Sequence, residues 1–134
     1  IELKKLIKMS KNLHLLYVED SASIRVRMVH TLERFFKNIY VAKDGVEGLA
    51  LFKEHDIDIV MSDIQMPNMD GLTLVDELRK LPQYAKTPIL VLTTERSDEM
   101  KSKGKAAGAT GWIVKPFVPD QLLKAVNIVL SKNS

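Results

Sequence analysis

Cysteine is absent from the chain, which excludes a disulfide framework, a thiol nucleophile and a Cys-based zinc site. That absence fits a reducing compartment, and the expected location is cytoplasmic. No apolar run approaches the roughly 18 residues needed to span a membrane, and no secretory apolar core opens the chain. Aromatic residues are sparse at 6%, with a single tryptophan, Trp112, so one ring reports on one place. The formal net charge of +3 raises the question of a nucleic-acid binder. Residues 1–12 hold Lys4, Lys5, Lys8 and Lys11 against Glu2, a net of +3, so residues 13–134 sum to zero. The body therefore has no excess charge with which to grip phosphates, and no nucleic-acid partner is expected through it. Residues 1–12 read as a basic tail, a solvated linker or helix extension. The chain opens on Ile1, so its start is expected to have been trimmed or cut from something longer. It ends just after its last helix-like segment, so any output domain would lie outside it.

Residues 13–134 are enough for one domain with one core. Five short apolar runs, at Leu13–Val18, Ile39–Ala42, Ile57–Met61, Ile89–Thr93 and Gly111–Val114, alternate with five helix-like segments. The runs are rich in Val, Ile and Leu with little polar alternation, as in strands covered on both faces. Helical stripes are expected at Ile24, Met28, Leu32 and Phe35, at Val46, Leu49, Ala50 and Lys53, and at Leu74, Val75, Leu78 and Leu81. Asp44 with Glu47 forms a capping-box signature before the second. Ser97–Ala107 makes a weak fourth helix containing Gly104, and Pro119 starts the fifth. Strict β-α alternation predicts an α/β, doubly wound, parallel five-stranded sheet with right-handed crossovers. In such sheets ligands bind outside the carboxyl ends of the strands.

Four of those ends carry chemistry: Glu19-Asp20, Asp63, Thr93-Thr94 and Lys115-Pro116. An acidic residue after a strand usually forms a turn or caps a helix; the coincidence of four ends on one rim is what points to a site. Three crowded carboxylates repel one another, and Lys115 cancels only one charge. A hard divalent cation supplies the other two, and Mg²⁺ suits a site of one or two carboxylates with room for waters and phosphate oxygens. One carboxylate is then free to attack phosphorus while the cations screen the incoming group.

Tyr17-Val18-Glu19-Asp20-Ser21, Ser62-Asp63-Ile64-Gln65-Met66-Pro67-Asn68-Met69-Asp70-Gly71, Leu92-Thr93-Thr94 and Gly111-Trp112-Ile113-Val114-Lys115-Pro116-Phe117 resemble the receiver domains of bacterial two-component systems. The resemblance covers about residues 13–131. It implies a flavodoxin-like (βα)5 fold with strand order 2-1-3-4-5, and a switch that is phosphorylated on Asp63 by a histidine kinase with Mg²⁺. It implies metal ligation by Asp20 and Asp63, by Glu19 mostly through water and by Gln65 through its backbone carbonyl. Thr93 would be the hydroxyl that moves toward the phosphoryl group, Lys115 its cationic partner, and Lys115–Pro116 a cis bond. Trp112 stands at the switch-aromatic position, while Gln65, Thr94 and Glu95 match positions that tune phosphoryl lifetime. Glu19 stands where many relatives have aspartate, and Thr94 is bulkier than the alanine often found there. A domain of this kind is no conventional enzyme: it catalyses its own phosphorylation and slow dephosphorylation. Thr93–Leu123 most resembles stand-alone chemotaxis receivers, which implies a downstream protein bound at the face of helix four, strand five and helix five.

Alternation along the last strand sets Trp112 and Lys115 on opposite faces, placing the indole against helix four. If Thr93 moves toward the phosphoryl group, Trp112 is expected to rotate into the space behind it. His14, His30 and His55 lack metal-ligand spacing and read as surface or packing residues; Met61, Met66 and Met69 read as core and loop packing. Gly71 reads as the entry to the third helix. An aspartate-nucleophile phosphatase of the haloacid dehalogenase type is the enzyme rival, but it needs a carboxylate two residues after the nucleophile, and Gln65 stands there. A flavodoxin-like cofactor module needs a Ser-, Thr- and Gly-rich loop after the first strand, whereas Glu19-Asp20 repels a bare phosphate.

Overall fold

The apolar runs do become strands. A computed structural model describes residues 13–131; the basic tail expected over residues 1–12 lies outside them. The elements run β1 (His14–Val18), α1 (Ala22–Leu32), β2 (Asn38–Ala42), α2 (Gly45–Glu54), β3 (Ile59–Ser62), α3 (Gly71–Arg79), a 3-10 turn (Pro82–Tyr84), β4 (Ile89–Thr93), α4 (Asp98–Ala107), β5 (Gly111–Val114) and α5 (Pro119–Ser131). All strand pairs are parallel, in the order β2-β1-β3-β4-β5, as the resemblance implies.

The central strands are covered on both faces. Leu15, Tyr17, Ile59, Met61, Leu90 and Leu92 pack with Leu32, Phe35 and Phe36 and with Leu122, Leu123, Val126 and Val129 of α5. Leu16, Val18, Val60 and Ile89 face the other way, against Phe52 of α2 and Leu74, Val75 and Leu78 of α3. Each fully buried side chain of this size contributes about 1.5–3 kcal/mol by leaving water.

Several local expectations are corrected. Ile57 is buried but precedes β3, which starts at Ile59; the Asp58 N–H bonds the His14 carbonyl instead of extending a strand ladder. Leu81 caps the 3-10 turn, since Pro82 cannot continue α3. The stripe expected in α2 is largely misplaced: of its members only Leu49 packs, partly buried, against the core. Val46 is exposed, and the helix docks through Gly45, Gly48 and Phe52. Gly48 lets it approach so closely that a Cβ there would meet Val18 Cγ2 at 3.0 Å. The cap at Asp44 holds, its carboxylate accepting from the Glu47 N–H at 2.8 Å, but the return bond of the expected capping box is shifted by one residue: Glu47 accepts from the Lys43 N–H instead of from that of Asp44. The side chains of Ser21, Asp70 and Ser97 likewise accept from N–H groups in the first turns of α1, α3 and α4. Gly108, at φ 114°, closes α4 in the left-handed conformation that a Cβ disfavours.

Candidate functional site

Each residue of the rim is placed by the strand it follows. The Glu19 N–H bonds the Ala42 carbonyl and the Asp63 N–H bonds the Val18 carbonyl, so the ends of β2, β1 and β3 stay locked together past the sheet. The Lys115 N–H does the same to the Thr93 carbonyl at 2.8 Å. Carboxylate oxygens of Glu19, Asp20 and Asp63 consequently lie within 4.8 Å of one another. Lys115 Nζ donates to Glu19 Oε1 at 2.9 Å and stands 3.5 Å from Asp63 Oδ2. The Lys115–Pro116 bond is cis, as expected.

The three carboxylates are not equivalent. Glu19 is buried, Asp63 half-buried and Asp20 exposed. Burial alone would raise the Glu19 carboxyl, but the hydrogen bonds from Lys115 and from the Ser21 N–H outweigh it and hold it below its ordinary value. Asp20 is raised, first by desolvation, then by its contact with Glu19 and the charges of Glu19 and Asp63. Lys115 thus relieves the repulsion at Glu19 and leaves it at Asp20, which is what a site short of positive charge looks like. Beneath the cluster, burial and then the charges of Glu19 and Asp63 push the Tyr17 phenol up. Its hydroxyl has no partner among the described residues.

The loop that follows Asp63 is pinned from two sides. The Ile64 N–H donates to Asp63 Oδ1 at 2.7 Å and the Gly71 N–H to the Ile64 carbonyl at 2.8 Å. Gly71 is more than a helix entry: a Cβ there would collide with the Asp63 carbonyl oxygen and lie 2.8 Å from Ile64 Cα. On the other side, Asn68 Nδ2 donates to Asp44 Oδ2 at 2.8 Å, with Asn68 at φ 67°. The bonds from Glu47 and then Asn68 hold the Asp44 carboxyl below its ordinary value. Asp44 was legible only as a cap; its second role needed Asn68, 24 residues away, to be brought beside it. Gln65 and Thr94 are exposed at the rim.

Thr93 and Trp112 are joined through one residue. The Glu95 N–H donates to Thr93 Oγ1 at 3.2 Å, and the Trp112 indole N–H donates to the Glu95 carbonyl at 3.3 Å. The indole lies against α4 as alternation requires, so close that a Cβ on Gly104 would sit 2.6 Å from its Cζ3. The histidines sit away from the cluster: His14 and His55 flank Tyr40 in a ring stack. Met61 is buried in the core, and Met66 and Met69 pack at its edge. No helix among the described residues is long and apolar enough to cross a membrane.

Residues 15–127 match the response regulator receiver domain family. The chain belongs to that family. The receiver domain is 32% identical over 126 residues to chemotaxis protein CheY-3 of Vibrio cholerae, covering 92% of this chain and 96% of that one. The solved structure of chemotaxis response regulator CheY4 from Vibrio cholerae superimposes with a TM-score of 0.81 at 47% identity, covering 87% of this chain and 98% of that one. The probable transcriptional regulator ycf29 of Pyropia yezoensis is 33% identical over 72% of this chain. The receiver domain spans only 43% of that protein's length. The fold and the family are those the resemblance implied; receiver domains are signalling switches and not conventional enzymes.

Proposed function

We propose that this receiver domain accepts a phosphoryl group from a histidine kinase on Asp63, in a Mg²⁺-dependent reaction, and thereby changes the surface it offers a downstream protein. The observation that supports this best is the convergence of Glu19, Asp20, Asp63 and Lys115 at the ends of three strands, with too little positive charge among them. The donor set is all oxygen, and the carboxylate oxygens lie within 4.8 Å of one another, which fits Mg²⁺. Asp20 and Asp63 would hold the ion directly, Glu19 mostly through water and Gln65 through its carbonyl. When bound, it neutralises carboxylate charge and screens the oxygens of the group being transferred.

One Asp63 oxygen attacks phosphorus, the bond from phosphorus to the histidine nitrogen breaks, and that nitrogen keeps the electron pair and takes a proton. Lys115, already 3.5 Å from Asp63, exchanges part of its hold on Glu19 for the phosphoryl oxygens. Thr93 turns its hydroxyl toward the same oxygens. Gln65, Thr94 and Glu95 flank the acyl phosphate and tune its lifetime, which ends in slow self-catalysed hydrolysis. The output is a population shift, as large as the phosphoryl group's preference for the active state. Trp112 moves with Thr93, and the face formed by α4, β5 and α5 changes for its partner. The chemotaxis relatives favour a chemotaxis-type role in the cytoplasm. The alternative, favoured by the ycf29 match, is a receiver module of a longer regulator. We place the module boundary at residue 13, with residues 1–12 as its basic tail.

Asp63→Asn keeps the shape and removes the nucleophile. It is expected to abolish acid-labile labelling by acetyl phosphate or a kinase while the circular dichroism spectrum stays that of the parent. Undiminished labelling of the variant overturns the assignment.

A further inference from the structure

The Arg25 guanidinium, on α1, turns back over the loop that carries Glu19 and Asp20. Its Nη1 donates to the carbonyl oxygen of Glu19 at 2.8 Å and to that of Asp20 at 2.9 Å. One nitrogen carries the two hydrogens this requires. The two oxygens belong to the two planar peptide units that meet at the Cα of Asp20. Holding both planes fixes the direction in which residue 20 projects its side chain. The other two carboxylates are aimed by bonds of their own: Glu19 through Lys115 and the Ser21 N–H, Asp63 through the Ile64 N–H. Asp20 is the exposed one; besides its contact with Glu19, the direction of its backbone sets its aim.

We propose that Arg25 is a positioning residue of the acidic site, a clamp on the backbone either side of Asp20 that presets this carboxylate for a divalent cation. It spends its hydrogen bonds on carbonyls and leaves the carboxylate oxygens to the ion. The inference rests on the reading of Glu19, Asp20 and Asp63 as a Mg²⁺ site.

Charge and positioning make opposite demands here. If Arg25 contributed only a positive charge, removing it would relieve repulsion and tighten divalent binding. If it aims Asp20, removing it weakens binding, because outer partners that orient a ligand typically contribute 10- to 100-fold in metal affinity. The experiment is calorimetric titration of Mg²⁺ into the unphosphorylated parent, Arg25→Gln and Arg25→Lys, with Arg27→Gln, an exposed cation on the same helix, as the charge control. The dissociation constant is expected to rise about 10-fold in Arg25→Gln. Arg25→Lys should fall between it and the parent, and Arg27→Gln should match the parent or bind slightly tighter. Melting curves in EDTA report folding; if Arg25→Gln does not fold, weakened binding by Arg25→Lys, which keeps the charge but lacks the reach and the planar, fixed N–H directions of the guanidinium, carries the same conclusion. Affinity of folded Arg25→Gln equal to or tighter than the parent's overturns the clamp. A parent that binds no Mg²⁺ overturns the reading of the site itself, so the two failures are distinguishable.

Discussion

Glu19 holds the Lys115 ammonium at 2.9 Å across 96 residues of sequence. That contact joins β1 to β5 beside Asp63 and leaves Asp20 as the carboxylate with unrelieved charge. It sets the sign of the first prediction.

Asp20→Asn is expected to raise the melting temperature in EDTA and to reduce the increment Mg²⁺ produces. The first effect follows because Asp20 is raised, first by desolvation and then by its carboxylate neighbours, so its ionised form costs stability at neutral pH. The second follows because a direct ligand is lost, weakening binding by more than about 10-fold. For the parent, Mg²⁺ at ten times its dissociation constant should add about 1.4 kcal/mol. Differential scanning fluorimetry with and without the ion reads both; equal melting temperatures of the parent in EDTA and in Mg²⁺ would sink the metal assignment.

Intrinsic fluorescence reports the switch, because Trp112 is the one tryptophan. Beryllium fluoride with Mg²⁺ is expected to change its intensity or wavelength. Thr93→Ala should blunt the change, since Glu95 links the Thr93 hydroxyl to the indole. Mg²⁺ alone should do much less, because the residue beside the acceptor is Ile64. A flat signal with the mimic demonstrably bound makes Trp112 plain core.

Gly104→Ala tests the contact between that ring and α4. A Cβ at 2.6 Å from Cζ3 and 3.0 Å from Cε3 forces the indole or the helix aside. Overpacking costs about 1–3 kcal/mol, against the roughly 1 kcal/mol gained by replacing glycine in a helix. The expected result is a net loss of about 0–2 kcal/mol with a shifted emission spectrum. Emission identical to the parent's would place the indole elsewhere.

Asp44 makes a prediction about pH. Its folded carboxyl is lowered by the Glu47 N–H and the Asn68 amide. The stability it contributes is therefore complete above its unfolded value near 4 and lost as pH falls through the folded value. Asp44→Asn keeps a capping oxygen but sets an amide against the Asn68 amide. It should cost about 1–2 kcal/mol at pH 7 and progressively less below about pH 4. Urea unfolding across that range reads it; a cost that does not change with pH would assign the loss to the cap alone.

The sequence by itself determined the alternation of strands and helices, their buried faces, and the residues at the strand ends. Those signals are local: periodicity, β-branched runs, caps and short motifs are written within a few residues of one another. Even locally it misread α2, because Gly45 and Gly48 dock by having no side chain, and hydrophobic periodicity counts side chains. Tertiary structure decided everything that depends on distance through space. Nothing in the sequence singled out Arg25, and only the turn of the chain above β1 sets it on the carbonyls of Glu19 and Asp20. Asp44 reads only as a cap and Asn68 only as part of the stretch after Asp63, and only the packing of α2 beside that loop makes them a pair. The chain writes the carboxylates and their cation into three separate stretches; the parallel sheet sets how near they come, because its crossovers return every strand end to the same rim.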